Sequence, residues 1–256
     1  MIILGISDSH ESHACVLIDG KIIAAAAEER FTRLKADGGY PKNAIDKVIK
    51  QSGIKKQDIN LVVFAGHSAG LFHNLMKPVA LFSVKDWIFQ NEKYWKPLLL
   101  NNKKLSLLDD FNLFKKKIKD LKKNPYYSFL KKIKGKEEED YNEIFNNVRK
   151  DTVSKHLGIN KNKIFFIRHE ECHQYYGYYS QANYKDKVLI FTIEGAGDDS
   201  SATVSLGENG FVKEIYKTNL SVFKMEGYDF RNYFGKFKDG GITWIISSIF
   251  KFTKIK

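Results

Sequence analysis

Two α/β lobes built on one plan are what this sequence predicts. Three observations support the expectation: an antiparallel meander pattern that occurs twice, a carboxylate closing the first strand of each copy, and a helix and strand following the first copy. With 256 residues, 43% hydrophobic and 14% aromatic, the chain has apolar material for one large domain or two small ones.

The first copy begins with Ile2 to Ser7, an apolar β-rich run closed by Asp8. Ala14 to Ile18 is a second run, Asp19-Gly20 is a hairpin turn signal, and Lys21 to Ala27 returns. Pro41 introduces and Gly53 ends a helix over Lys42 to Gln51, with Ala44, Ile45, Val48 and Ile49 facing inward. Leu61 to Ala65 reads as a buried strand. In the lysine-rich stretch that follows, Leu107, Phe111, Phe114, Ile118 and Leu121 recur at steps of four and three. That stripe predicts one helix from Leu107 to Lys123 with its lysines in water. It belongs to a helical insertion near residues 70–140 of a first lobe spanning 1–160.

The second region, 161–256, opens with a strand, Lys163 to Ile167, and a helix running to Tyr179. The meander then repeats: Val188 to Ile193 is closed by Glu194, Ala202 to Leu206 follows, Asn209-Gly210 turns, and Phe211 to Tyr216 returns. Ala14 and Ala202 enter the second strand of each copy, and an internal duplication is the economical explanation. Ligands of such sheets gather at the carboxyl ends of strands, so a cleft between two similar lobes is expected.

A formal net charge of +12 invites a nucleic-acid partner, because clustered cations neutralise phosphates. Arginine, the usual fork for bases and phosphates, is sparse, and the run Glu137 to Asp140 beside the lysines is acidic. A solvated helical insertion is the better reading. The amino terminus lacks the basic flank of an export signal, and Ile242 to Phe250 is too short to cross a bilayer, so no membrane partner and a cytoplasmic location are expected. Cys15 and Cys172 read as free thiols.

His169 and His173 are one helical turn apart, so both imidazoles project from one face and can share a cation. Glu194 is the natural oxygen ligand beside them, giving two nitrogens, one carboxylate and positions open to substrate. Such a site suits a divalent metal, iron first. In the loop Glu194 to Ser201, glycines let backbone N–H groups approach a phosphate and hydroxyls can donate to it.

These residues resemble a family, the O-carbamoyltransferases of the nodulation, cephamycin and tobramycin pathways. The resemblance lies in Leu4-Gly5-Ile6, His10-Glu11, the hairpin Ala14 to Ala25, and Glu28-Glu29-Arg30-Phe31-Thr32-Arg33-Leu34-Lys35 with Gly39-Tyr40-Pro41 and Asn43-Ala44-Ile45. It continues in the His169/His173 pair, Tyr178-Tyr179-Ser180, Glu194-Gly195-Ala196-Gly197 and Ile245 to Ile255. It implies an actin-like, ribonuclease H-like fold and transfer of a carbamoyl group from carbamoyl-adenylate to a hydroxyl of a small acceptor. It further implies a metal held by His169, His173 and Glu194, with Gly195, Gly197 and Asp198 near the phosphate of ATP or carbamoyl-adenylate. His10 and Lys35 would orient acyl phosphate or acceptor. Family members continue past Lys256 into the rest of the second lobe and an adenylate-forming domain that uses carbamoyl phosphate and ATP. The expectation is therefore an incomplete second lobe, inactive alone, with a separate chain as a possible supplier of the missing half. Two alternatives stay open: a fragment that binds metal or nucleotide without turnover, and a relative of the enzymes that place threonylcarbamoyl on tRNA, whose H-x-E-x-H the His169 to His173 sequence also fits.

Overall fold

The computed structural model describes residues 1–68, 70–180, 186–193 and 197–219. Glu194, Gly195 and the stretches 242–250 and 245–255 lie outside the described residues. The chain divides into two compact units, the first Met1–Ile167 and the second beginning at Arg168.

In the first unit β1 (Ile2–Ser7), β2 (His13–Ile18) and β3 (Lys21–Ala27) form the expected meander. A helical turn, α1 (Glu29–Thr32), leads to α2 (Lys42–Gln51). Next come β4 (Leu61–Ala65), parallel to β1, and β5 (Ile164–Ile167), parallel to β4. The sheet order is β3-β2-β1-β4-β5, a mixed sheet in an α/β fold. Alternate strand residues such as Leu4, Ile6, Val16, Val62 and Phe64 enter the core, as a period of two requires. Helix α2 packs against β2 and β3, and its Ala44, Ile45, Val48 and Ile49 are buried as the 3.6 periodicity predicts.

Between β4 and β5 the chain builds a helical insertion. It contains a π-helical turn (Leu71–Met76), α3 (Pro78–Leu81), α4 (Val84–Gln90), a π-helical segment (Asn91–Trp95) and α5 (Lys96–Leu100). Then follow α6 (Leu107–Phe114), α7 (Tyr127–Lys132) and the long α8 (Tyr141–Leu157). The single helix expected over Leu107 to Lys123 is not formed. Helix α6 stops at Phe114, Lys115–Lys117 form a 3-10 turn, Ile118 is extended, Asp120 is left-handed at φ 54°, and Leu121–Lys123 make another 3-10 turn. On a continuous helix Lys115 and Lys119, and Lys119 and Lys123, would be like charges four residues apart, whereas the apolar stripe survives the break because Phe111 and Phe114 are buried and Ile118 and Leu121 still pack on the core.

The second unit opens with α9 (His169–Tyr179) and continues into β6 (Val188–Ile193), β7 (Ser200–Glu208) and β8 (Phe211–Asn219), an antiparallel sheet ordered β6-β7-β8. The two meanders share their turn chemistry. Asp19-Gly20 and Asn209-Gly210 all have positive φ, at 49°, 79°, 52° and 83°, the form that matches strand twist in a two-residue hairpin. Cys15 and Cys172 are both free thiols. Among the described residues no helix is long and apolar enough to cross a membrane.

Candidate functional site

At the carboxyl end of β1 the chain buries Asp8 completely. Its two carboxylate oxygens accept from Arg149 of α8, Nε at 2.9 Å and Nη2 at 2.6 Å, and Tyr126 donates its hydroxyl at 2.5 Å. Arg149 also donates to the carbonyl of Gly66 and lies over the rings of Phe64, Phe145 and Phe166. This is a dry, bidentate ion pair whose spare donors are used. The Asp8 carbonyl accepts from Asn74 Nδ2 and from the Gly39 amide, which draws three loops together.

His10 stands on the loop after β1, exposed, with Ser9 Oγ 3.4 Å from its Nδ1 and its ring edge-on to His73 at 5.7 Å. Burial, and then the nearby His10, push the His73 imidazole below its usual range. Gly38 must be glycine, since a Cβ there would sit 2.6 Å from the carbonyl oxygens of Ser9 and His73. Lys35 is on the surface, and its ammonium is 3.4 Å from Glu29. That pairing belongs to the turn after β3 rather than to the His10 loop.

The motif beginning at Glu28 acquires a physical meaning. Glu28 is buried and accepts from Asn43 N, Asn43 Nδ2 and Ala44 N, at 3.2, 2.6 and 2.8 Å, so a carboxylate from the end of β3 caps the amino terminus of α2. Glu28 therefore ties the hairpin to the Pro41-to-Ala44 segment.

In the second unit, α9 brings His169 and His173 together: their Nε2 atoms are 3.1 Å apart, with ring centroids at 4.7 Å. Two imidazoles bound to one metal at about 2.1 Å and near right angles have nitrogens about 3 Å apart, so the pair fits a shared cation. Among the described residues no group of three His, Cys, Asp or Glu is placed to hold one. The thiol of Cys172, between the histidines, is pushed up to about 11, chiefly by burial and then by Asp198, Glu171 and Glu170, so it stays protonated.

Around the start of α9 carboxylates outnumber cations. Asp198 accepts from the His169 amide at 2.7 Å and caps the helix, while its own amide donates to buried Glu170 at 2.9 Å. Arg168 reaches Asp199, Glu171 and Glu214, and Lys217 reaches Asp199. Burial, and then the hydrogen bond with Asp199, push Glu170 up to about 7; that same hydrogen bond, with Lys217 and Arg168, holds Asp199 low. The Gly197 amide donates to the Ser200 carbonyl, joining the two ends of residues 197–200.

Sequence reasoning missed Arg149, Tyr126 and Asn74. One signal was present: Arg149 is the one arginine between Arg33 and Arg168, and it interrupts the buried face Tyr141, Phe145, Val148, Val153 of α8. An arginine there calls for an internal carboxylate.

Among curated proteins, the uncharacterized protein sll1178 of Synechocystis is 37% identical over 82 residues, 32% of this chain and 13% of that protein. The uncharacterized protein MJ1051 of Methanocaldococcus jannaschii is 36% identical over 64 residues, 25% of this chain and 12% of that protein. The matched stretches thus span about one eighth of these relatives' lengths. The family model described as carbamoyltransferase N-terminus matches residues 2–230. With nearly the whole sequence covered by that match, the chain belongs to the carbamoyltransferase amino-terminal family.

Proposed function

We propose that this chain is the actin-like part of an O-carbamoyltransferase, acting on carbamoyl-adenylate and a small hydroxylated acceptor. The β3-β2-β1-β4-β5 order, with β4 and β5 parallel to β1 and a second meander of the same turn chemistry, supports the actin-like reading. The observation that carries the proposal is the convergence of the His169 and His173 Nε2 atoms, within the family match, at the start of the second unit.

In this reading His169 and His173 hold a divalent metal, iron first, with Glu194 supplying the oxygen ligand. A bound metal would polarise the carbamoyl oxygen as a Lewis acid. The chain's own residues fix the geometry: Asp198 anchors the amide of His169, and the carboxylates beside Arg168 favour a cation over a bare phosphate. Gly195 and Gly197, which carry no side chain, would let phosphate of ATP or carbamoyl-adenylate approach the backbone. His10, backed edge-on by His73, orients acyl phosphate or acceptor. Lys35 supplies positive charge from the surface.

Metal content tests this directly. Wild-type protein loaded with iron(II) or zinc and desalted should retain about one ion per chain, and the His169→Ala, His173→Ala variant close to none. Equal stoichiometry in the two proteins would remove the site from α9.

A further inference from the structure

The helical stretch Val84–Leu100, formed by α4, the π-helical segment and α5, is built inside out. Its buried positions are polar: Asp86, Gln90 and Tyr94 recur at every fourth residue. Its outward positions include large apolar side chains beside Lys85, Asn91, Glu92 and Lys93: Val84 is 75% exposed, Ile88 58%, and Trp87, Phe89 and Trp95 at least 40%. The inward side chains explain why the helix keeps this orientation. Asp86 is 2.5 Å from Lys117 and accepts from Ser83, and Gln90 donates to Asp110 at 2.9 Å. Turning the helix over would bury the aromatics and break each of these contacts. Exposed aromatic and branched aliphatic side chains gathered on one short helical stretch mark an interaction surface.

Charge identifies the partner. Between Lys77 and Asp140 there are sixteen lysines, no arginine and nine carboxylates, so this insertion carries +7 of the chain's net +12. Lys85, Lys93 and Lys96 flank the exposed aromatics on the same helical stretch. Protein interfaces are poor in lysine and rich in arginine. A nucleic acid has no use for Val84 and Ile88. Tryptophan, phenylalanine and branched aliphatics bordered by lysines match the boundary of an anionic bilayer, where rings enter the headgroup region and ammonium groups stay with the phosphates.

We propose that the outward face of Val84–Leu100 rests on an anionic lipid surface, holding the protein at a membrane without crossing it. The inference is independent of the metal site and of the carbamoyl chemistry.

The test is co-sedimentation of the whole chain with vesicles of phosphatidylcholine alone or mixed equally with phosphatidylglycerol, alongside Trp fluorescence. Binding and a blue shift are expected with the mixed vesicles only, weakening as salt rises. Trp87→Glu combined with Ile88→Glu should lower the affinity by roughly tenfold or more. Both side chains are exposed, and unchanged circular dichroism would show that the fold is kept. Lys85→Glu with Lys93→Glu should weaken binding separately. Three results would overturn the proposal: no binding to mixed vesicles, binding that the Trp87/Ile88 variant leaves intact, or self-association or RNA binding through this face in place of vesicle binding.

Discussion

Carboxylates gather at the end of β1 and at the start of α9, and the two places treat them in opposite ways. Asp8 is fully buried, and both its oxygens are taken by the Arg149 guanidinium and the Tyr126 hydroxyl. Near α9, Glu170, Glu171, Asp199 and Glu214 share Arg168 and Lys217, and several keep contact with water. A buried pair of one acid and one base is closed: it locks loops and has no capacity left for a ligand. A half-exposed cluster with surplus negative charge beside two convergent imidazoles is open to a cation. The same residue type, aspartate near a strand end or helix start, is thus a fastening in one unit and a candidate reactive element in the other.

The sharpest way to break this contrast is to remove one base from each place. Arg149→Ala should cost about 3–5 kcal/mol of stability in urea denaturation, because it leaves Asp8 charged and dry. Arg168→Ala, with the Arg168 side chain 25% exposed, should cost about 1 kcal/mol or less. Similar losses for the two variants would show that the α9 cluster is as closed as the Asp8 pair.

Asp110 sharpens the comparison from the other side. It is buried like Asp8, but the bond it receives is from the Gln90 amide rather than from a guanidinium, and burial raises it from 3.8 to about 6. A carboxyl whose folded pKa lies above its unfolded value binds its proton more tightly when folded. Its contribution is therefore present below about pH 4 and lost as pH rises through about 6, by up to about 3 kcal/mol. The slope of stability between these pH values should be shallower in Asp110→Asn; an unchanged slope would mean that Asp110 ionises without cost.

A more modest effect than that of Arg149 is expected at Glu28, a carboxylate that caps rather than pairs. Glu28→Ala should lower stability by about 1–2 kcal/mol, since the amides of Asn43 and Ala44 lose their acceptor inside the fold. A neutral substitution would mean that water reaches the start of α2.

The limits of β1, β3, α2, β4, α9 and β6 coincide with the sequence expectation because short-range periodicity, Pro41, Gly53 and the two Asx-Gly turns set them. The His169/His173 convergence was legible for the same reason: four residues of helix place side chains on one face. The stripe from Leu107 to Lys123 was misleading, since its periodicity reported burial correctly but not the continuity of the helix through Lys115 to Lys117.

What the sequence by itself determined, then, was the local element and the face it buries, because those follow from dihedral preference and the spacing of apolar residues over a turn or two. Only the tertiary structure decided that Arg149 meets Asp8, 141 residues away, that Glu28 caps α2, and that Trp87, Ile88 and Trp95 stay outward while Asp86 and Gln90 are buried. Those outcomes depend on which surfaces meet when the whole chain packs. A charge or an aromatic ring carries no mark in one sequence of the partner that burial will bring to it.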